Sequence, residues 1–285
     1  MSTEKASPIS IVSARRRSWL FTPATRPERF EKASAVGADV LIVDLEDSVS
    51  LAQKYAAREN VRAFLAMETP RNTRPLLAIR VNNSFTSLGF EDLNALAECV
   101  SKPDFILLPK IESPEQVIAA HSLLSKYGKV PELVPIIESA TGLRKALNIA
   151  MASPSVTALM FGAGDFASDV RAQPDSLALQ LARCHVAMAC ATASIKAIDA
   201  PCFALHDADL LRFDLNFAGK NGFQGKAAIH PSHIDAINTY FTPSKERIDW
   251  AKRVIEASER GAGVVDGRMV DEAIAREARE ALSAL

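Results

Sequence analysis

The chain has 285 residues, 48% of them hydrophobic and 24% charged, which is ordinary for a folded globular protein and too apolar for a disordered one. Lys and Arg total 33 against 34 Asp and Glu, a formal net charge of −1. No global field therefore draws the chain onto nucleic acid or an anionic membrane.

Short apolar runs alternate with helical patterns along most of the chain. Ser18–Thr22 reads as a first strand, followed by a helix over Pro27–Val36. Val40–Glu46 (Val-Leu-Ile-Val-Asp-Leu-Glu) is a buried strand ending in acids, with a helix over Leu51–Met67. Leu76–Val81 is a third strand before a helix at Phe90–Val100, and Phe105–Lys110 a fourth before Pro114–Lys126. Leu133–Glu138 precedes a helix at Thr141–Met151, and Val156–Gly162 precedes a long helix at Ser176–Ser194. Ile198–Leu205 with Ala208–Ala218, then Lys226–His230 with His233–Phe241, complete the series.

Continuous apolar strands are buried on both faces, which is the mark of a parallel sheet. Eight βα units within roughly 240 residues predict a closed (β/α)8 TIM barrel over residues 15–243. The rival is an open doubly wound sheet, but no glycine-rich dinucleotide or P-loop fingerprint supports it. The tail, residues 244–285, lies outside this pattern. A helix from Pro243 to about Arg260, a break at Gly261-Ala262-Gly263, a turn at Val264–Gly267 and an amphipathic helix at Asp271–Leu285 form a helical extension with a lid-like segment. It is expected to pack outside the barrel or to reach a neighbouring subunit.

Cys99, Cys184, Cys190 and Cys202 include no C-x-x-C pair, so zinc spacing is absent and free thiols in a reducing compartment are expected. No apolar run approaches the 18 residues of a membrane span. Arg15-Arg16-Arg17 is not followed by an apolar segment, so it is no twin-arginine signal. The polar first 17 residues read as a ragged start rather than a transit peptide, and the expected location is cytoplasmic.

A barrel of this type gathers its chemistry at the carboxyl ends of the strands. Those ends supply Asp44, Glu46 and Asp47; Arg80 and Asn82; Lys110 and Glu112; Glu138; Gly164 and Asp165; and His230. Carboxylates converging on one mouth repel unless a cation sits among them, and oxygen donors without a Cys or His cluster favour Mg²⁺, or Mn²⁺, over zinc. Glu138 and Asp165 directly end neighbouring apolar strands and are the first choice as metal ligands. Arg80 is the natural holder of a substrate carboxylate or developing oxyanion, the alternative being a structural ion pair with the strand-two acids. Glu46, Asp47, Gly164 and Asp165 join Arg80 as candidates for contact with substrate. Lys110 reads better as a salt-bridge partner of Asp44 or Glu46 than as a Schiff-base lysine. Arg26, Arg29 and Lys32 surround the first βα loop, where they bind cofactor phosphates or simply remain solvated. His230 lines the pocket or hydrogen-bonds in the barrel, whereas His121, His185 and His233 lie on helices.

These residues sit in recognisable motifs. Arg16-Arg17-Ser18-Trp19-Leu20-Phe21-Thr22-Pro23, followed by Arg26-Pro27-Glu28-Arg29-Phe30, resembles the opening of the citrate lyase β-subunit-like proteins of the HpcH/HpaI aldolase family. Ala38–Val49, Arg80-Val81-Asn82, Leu108–Ser113, Ile137-Glu138-Ser139 and Gly225–Pro231 resemble further motifs of that family, over roughly residues 15–275. The resemblance implies a Mg²⁺-dependent carbon–carbon lyase of malyl-CoA or citramalyl-CoA type, with a CoA ester and a 2-oxo acid as small-molecule partners. It implies a homotrimer or hexamer, metal at Glu138 and Asp165, and a substrate carboxylate or oxyanion on Arg80. Val265–Asp271 resembles the carboxy-terminal lid of malyl-CoA lyases, which implies that Asp271 serves as acid/base, in its own or a neighbour's site. The expected reaction is cleavage of a 3-hydroxyacyl-CoA to acetyl-CoA and pyruvate or glyoxylate. The alternatives are citryl cleavage to oxaloacetate as a citrate lyase β subunit, and malate synthase or thioesterase activity.

Overall fold

The computed structural model describes residues 15–67, 75–259, 261 and 263–283. The polar first 14 residues and the extreme ends of the two expected tail helices lie outside that description.

Eight parallel strands close into a barrel in chain order: β1 (Ser18–Pro23), β2 (Val40–Asp44), β3 (Leu76–Arg80), β4 (Phe105–Leu108), β5 (Glu132–Ile137), β6 (Ala158–Phe161), β7 (Lys196–Asp199) and β8 (Gly225–Ala228), with β8 pairing back onto β1. The intervening helices are α1 (Phe30–Ser34), α2 (Lys54–Ala66), α3 (Ser87–Glu98), α4 (Pro114–Ser125), α5 (Ala140–Arg144), α6 (Ala146–Ala150), α7 (Ala163–Asp169), α8 (Leu177–Ala193), α9 (Ala208–Lys220) and α10 (Ile234–Phe241). The expected (β/α)8 barrel is what forms.

Successive strand residues point to opposite faces, and the barrel uses both. Trp19, Val40, Ile42, Ala78, Phe105, Leu107, Val134, Ile136, Ala158, Met160, Ile198 and Ala227 fill the interior as one buried cluster. The Trp19 and Phe105 rings meet there at 4.9 Å between centroids. The residues between them, among them Leu41, Val43, Ile79, Ile106, Leu108, Leu133, Ile137 and Phe161, belong to the larger core beneath the helices. Each inward row continues to the carboxyl end of its strand. Val40 and Ile42 lead to Asp44, Ala78 to Arg80, Val134 and Ile136 to Glu138, and Ala158 and Met160 to Gly162. The alternation that packs the interior thus also aims the mouth residues inward.

Two local expectations change. β7 begins at Lys196 and stops at Asp199 instead of running from Ile198 to Leu205. α8 ends against Ser194, which turns the chain in the left-handed region (φ 56), and Pro201 has no N–H to continue a ladder. Directly after β6 stands α7, which was not among the expected elements, a helix too short and glycine-bearing to show periodicity.

The barrel unit spans Arg16–Phe241, and the described residues from Thr242 onward form a compact unit of their own. That unit contains α11 (Lys245–Glu259), a hairpin of β9 (Gly263–Val265) and β10 (Arg268–Val270), and α12 (Glu272–Ser283). Ala251, Val254, Val270 and Ala278 form its core. The hairpin replaces the simple turn expected at Val264–Gly267. Asp266 and Gly267 both take positive φ (52 and 76), the two-residue turn that matches strand twist. No helix among the described residues is long and apolar enough to cross a membrane.

Candidate active site

The mouth of the barrel holds a cavity of about 400 Å³. Its polar lining includes Asp44, Asp47, Arg80, Glu138 and Asp165, and its apolar lining Phe21, Ile136, Met160, Phe203 and Ile229. Residues of β1, β2, β3, β5 and β6 meet here with residues of the loops after β7 and β8.

Arg80 is the hub. Its Nε and Nη2 donate to the two carboxylate oxygens of Asp44, both at 2.7 Å, across the β2–β3 pairing of these same residues. Its guanidinium lies over the Phe21 ring at 4.8 Å, and its Nη1 stands 3.2 Å from Glu46 Oε2. Burial opposes the charge on Asp44, but the Arg80 guanidinium and the Ser48 and Glu46 amides overcome it and hold this carboxyl below its ordinary range. Arg80 therefore forms the ion pair with the strand-two acids and faces the cavity as well. The ion-pair reading of this residue is what the structure shows.

The loop after β2 is held rigidly. The amides of Glu46 and Ser48 donate to Asp44, and the buried Lys54 ammonium donates to the carbonyls of Leu45 and Glu46, both at 2.7 Å. Glu46 points away from the cavity wall toward Lys110, whose Nζ donates to Glu46 Oε1 at 2.5 Å and to Asp47 Oδ1 at 3.1 Å. Lys110 is thus the salt-bridge lysine, not a nitrogen presented to a carbonyl substrate. Glu46 does not line the cavity, because Arg80 and Lys110 bind it at the side; Asp47 does.

Glu138 is 5% exposed. Burial, then the charges of Glu46 and Asp165, push its carboxyl up to about 8, against the backbone amide of Lys110, which donates to Oε1 at 2.5 Å. A Cβ on Gly162 would stand 2.6 Å from both Cβ and Oε2 of Glu138, so a glycine is required there for the carboxylate to fit. Asp165, in the first turn of α7, faces the same cavity and acts electrostatically on Glu138. Gly164 lines the wall beside Phe203.

This donor set suits a hard divalent cation. All its donors are oxygens, and Glu138 is buried without a cationic side chain hydrogen-bonded to it. Among the described residues no three His, Cys, Asp or Glu side chains converge as an ion cage. A pair such as Glu138 and Asp165 leaves open positions for water or substrate oxygens, the usual situation of Mg²⁺.

The remaining candidates lie elsewhere. Arg26, Arg29 and Lys32 are exposed around the first βα loop and line no part of the cavity, and Arg26 is 3.9 Å from Glu28. His230 pairs its Nδ1 with Ser232 Oγ at 2.7 Å, while its neighbour Ile229 lines the wall. His121 meets Ser153 Oγ at 2.9 Å, and His233 is buried. Asp271, in the second unit, is exposed and caps α12 by accepting the Ile274 amide at 2.9 Å. Gly162, Lys54 and the apolar wall were not anticipated. The glycine ending an inward row was the one available signal.

Comparison with known proteins bears on this site. The HpcH/HpaI aldolase/citrate lyase family model matches residues 17–231. A (3S)-malyl-CoA thioesterase of Cereibacter sphaeroides is 35% identical over 94% of this chain and 93% of its own. The citrate lyase subunit beta of Escherichia coli K12 is 32% identical over 94% and 92%. Among solved structures, RipC from Yersinia pestis is 43% identical with a TM-score of 0.71, covering 81% of this chain and 97% of RipC. CitE from Mycobacterium tuberculosis, solved with magnesium, acetoacetate and coenzyme A, is 33% identical with a TM-score of 0.77, covering 95% and 98%. The chain belongs to the HpcH/HpaI aldolase/citrate lyase family and is an enzyme of the citrate lyase beta-like class.

Proposed function

We propose that this protein is a Mg²⁺-dependent lyase that reversibly cleaves a 3-hydroxyacyl-CoA of citramalyl-CoA or malyl-CoA type to acetyl-CoA and a 2-oxo acid, pyruvate or glyoxylate. The observation that carries the reading is the placement of Glu138, Asp165 and Arg80 around one cavity that also has apolar lining. Glu138 and Asp165 would hold the ion. When bound there, magnesium supplies Lewis-acid polarisation of the substrate's hydroxyl or oxo oxygen.

The rest follows from the chain's own groups. Asp44 fixes two nitrogens of Arg80, so the guanidinium is preorganised to receive the carboxylate of the oxo acid and the negative charge that builds on its oxygen. Phe21, Ile136, Met160, Phe203 and Ile229 keep water from the reacting carbon and offer space to a hydrogen or a methyl group. Asp271 takes the proton of the substrate's hydroxyl, and the oxygen's electrons form the oxo acid's carbonyl as the carbon–carbon bond breaks. That bond's electrons pass into the thioester as an enolate, and Asp271 returns the proton to carbon to make acetyl-CoA. Arg26, Arg29 and Lys32 would meet the phosphates of CoA. A homo-oligomer, trimeric or hexameric, would let Asp271 serve a neighbour, and light scattering on the purified protein tests it.

The deciding experiment incubates purified protein and Mg²⁺ with citramalyl-CoA, malyl-CoA and citryl-CoA and separates the products. Acetyl-CoA with pyruvate or glyoxylate supports the lyase. Free CoA supports the second reading, a thioesterase, which the Cereibacter sphaeroides relative favours. Oxaloacetate from citryl-CoA supports a citrate lyase β role. Asp271→Asn keeps the helix cap, since Asn caps as well as Asp, and isolates the proton transfer. Full turnover by that variant removes Asp271 from the mechanism.

A further inference from the structure

Lys110 occupies a position that the cleavage chemistry leaves unexplained. It is one of four described non-glycine residues with positive φ, at 54, a left-handed conformation that is unfavourable for a residue bearing a side chain. The conformation sends its two ends to opposite sides of the mouth. The backbone amide donates to Glu138 Oε1 at 2.5 Å. The ammonium leaves in the other direction, to Glu46 Oε1 at 2.5 Å and Asp47 Oδ1 at 3.1 Å.

Glu46 is a carboxylate with the means to interfere. It is 4% exposed, its Oε2 has no hydrogen-bond partner, and it bears on Glu138 more strongly than any other neighbouring charge. Drawn toward a divalent ion at Glu138 and Asp165, it would supply a third carboxylate. That would occupy a position which a chelating substrate needs. The groups opposing this are Arg80 Nη1, 3.2 Å from Oε2, and Lys110 Nζ on Oε1. Arg80 is already committed to Asp44 through its other two nitrogens.

We propose that Lys110 is a positioning residue that sorts the carboxylates of the mouth, its amide presenting Glu138 to the cation site while its ammonium withholds Glu46 and Asp47 from it. The inference rests on the metal-dependent reading of the site. It adds that the site is kept at two protein carboxylates by a built-in competitor for the others. An Arg at position 110 can still reach Glu46 and Asp47 with its charge; a Met cannot.

The test reads ion binding directly. Mn²⁺ affinity is measured by calorimetry on wild type, Lys110→Met, Lys110→Arg and the double variant Lys110→Met/Glu46→Gln, with kcat and KM alongside. Releasing Glu46 should tighten Mn²⁺ binding about tenfold in Lys110→Met, as expected for one more charge near a divalent ion. In that variant kcat should fall, because an open position is lost. Lys110→Arg should restore both, and the double variant should return Mn²⁺ affinity to the wild-type value. If Lys110→Met binds Mn²⁺ no more tightly than wild type, the sorting role is overturned. If wild type itself binds neither Mn²⁺ nor Mg²⁺, the functional reading fails instead. Should Lys110→Met not fold, Glu46→Gln alone decides. It must leave Mn²⁺ affinity within threefold of wild type, since a withheld carboxylate is no ligand, and a loss beyond tenfold overturns the proposal.

Discussion

Two clusters of buried charge lie within the same barrel, and only one of them is balanced. Behind β7 and β8, Arg183 grips both oxygens of Asp199 at 2.9 and 2.7 Å. Lys226, 1% exposed, donates to Asp199 at 2.6 Å, to the Ala200 carbonyl at 2.6 Å, and pairs with Asp214 at 2.5 Å. Arg183 also reaches Asp214 at 2.8 Å. Two cations meet two carboxylates, and the seam between the last two strands and their helices is closed. At the mouth, the five carboxylates of Asp44, Glu46, Asp47, Glu138 and Asp165 face three cations: Arg80 and Lys110, which pair with the strand-two acids directly, and the buried Lys54, which acts on them through space. The same fold, with the same access to lysine and arginine, satisfies one cluster and leaves the other short of positive charge. A balanced buried network acts on stability. An acidic excess at the carboxyl end of the strands calls for a cation from outside.

Glu138→Gln tests this contrast hardest. If Glu138 holds the ion as proposed, the variant should turn over the proposed CoA ester on the order of a thousandfold more slowly, several kcal/mol of Lewis-acid stabilisation at about 1.4 kcal/mol per tenfold. Stability should move the other way in magnesium-free buffer. Glu138 is neutral in the fold up to about pH 8, whereas in the unfolded chain it ionises near its ordinary 4.5. The wild type therefore loses stability as pH rises from about 4.5 to about 8, and Gln escapes that loss, on the order of 4 kcal/mol at pH 8. Thermal melts from pH 5 to 9 check it. A variant less stable than wild type at pH 8 would mean that the carboxylate is already compensated.

Next in size is Gly162→Ala. The added Cβ would lie 2.6 Å from Glu138 Cβ and Oε2, so the carboxylate must move. A displacement of about 1 Å at a catalytic group costs about a hundredfold in kcat/KM. Gly164→Ala is its control. There the added Cβ lies 3.6 Å from Phe203 Cζ, an ordinary contact, and kcat/KM should stay within threefold. Equal losses in the two variants would point to loop rigidity rather than to Glu138.

These variants also show where the sequence was readable. Asp44, Arg80 and Glu138 were legible because each ends an apolar strand in the register that packs the barrel interior. The bidentate form of the Arg80–Asp44 pair was not, since it depends on two strands being neighbours in matching register. Lys54 and Lys226 carry no mark of burial in one dimension, and only the carbonyls and carboxylates brought to them by distant segments allow it. The β9–β10 hairpin was open to prediction from Asp266-Gly267, but the neighbouring glycines obscured its short strands.

The balanced cluster predicts large stability effects and little change in chemistry. Lys226→Met leaves Asp199 and Asp214 sharing a single cation. Breaking such a buried pair costs about 3–5 kcal/mol. Chemical denaturation should show that loss while kcat per folded molecule holds. A fall in kcat greater than tenfold without a loss of stability would reassign Lys226 to the active site.

Asp214→Asn should give the smallest effect and the most diagnostic pH dependence. Burial opposes ionisation of Asp214, but Lys226 and Arg183 together hold its carboxyl below the ordinary 3.8. A depressed carboxyl contributes stability that is fully present above its unfolded value and lost as pH falls through its folded one. Wild type should therefore exceed Asp214→Asn by about 1–2 kcal/mol at pH 7. The two unfolding free energies should draw together only below about pH 4, where the unfolded carboxyl takes up its proton. A gap that closes between pH 6 and 8 would trace to a group other than this carboxylate, and the cluster would then not be the self-sufficient counterweight that makes the mouth's acidity informative.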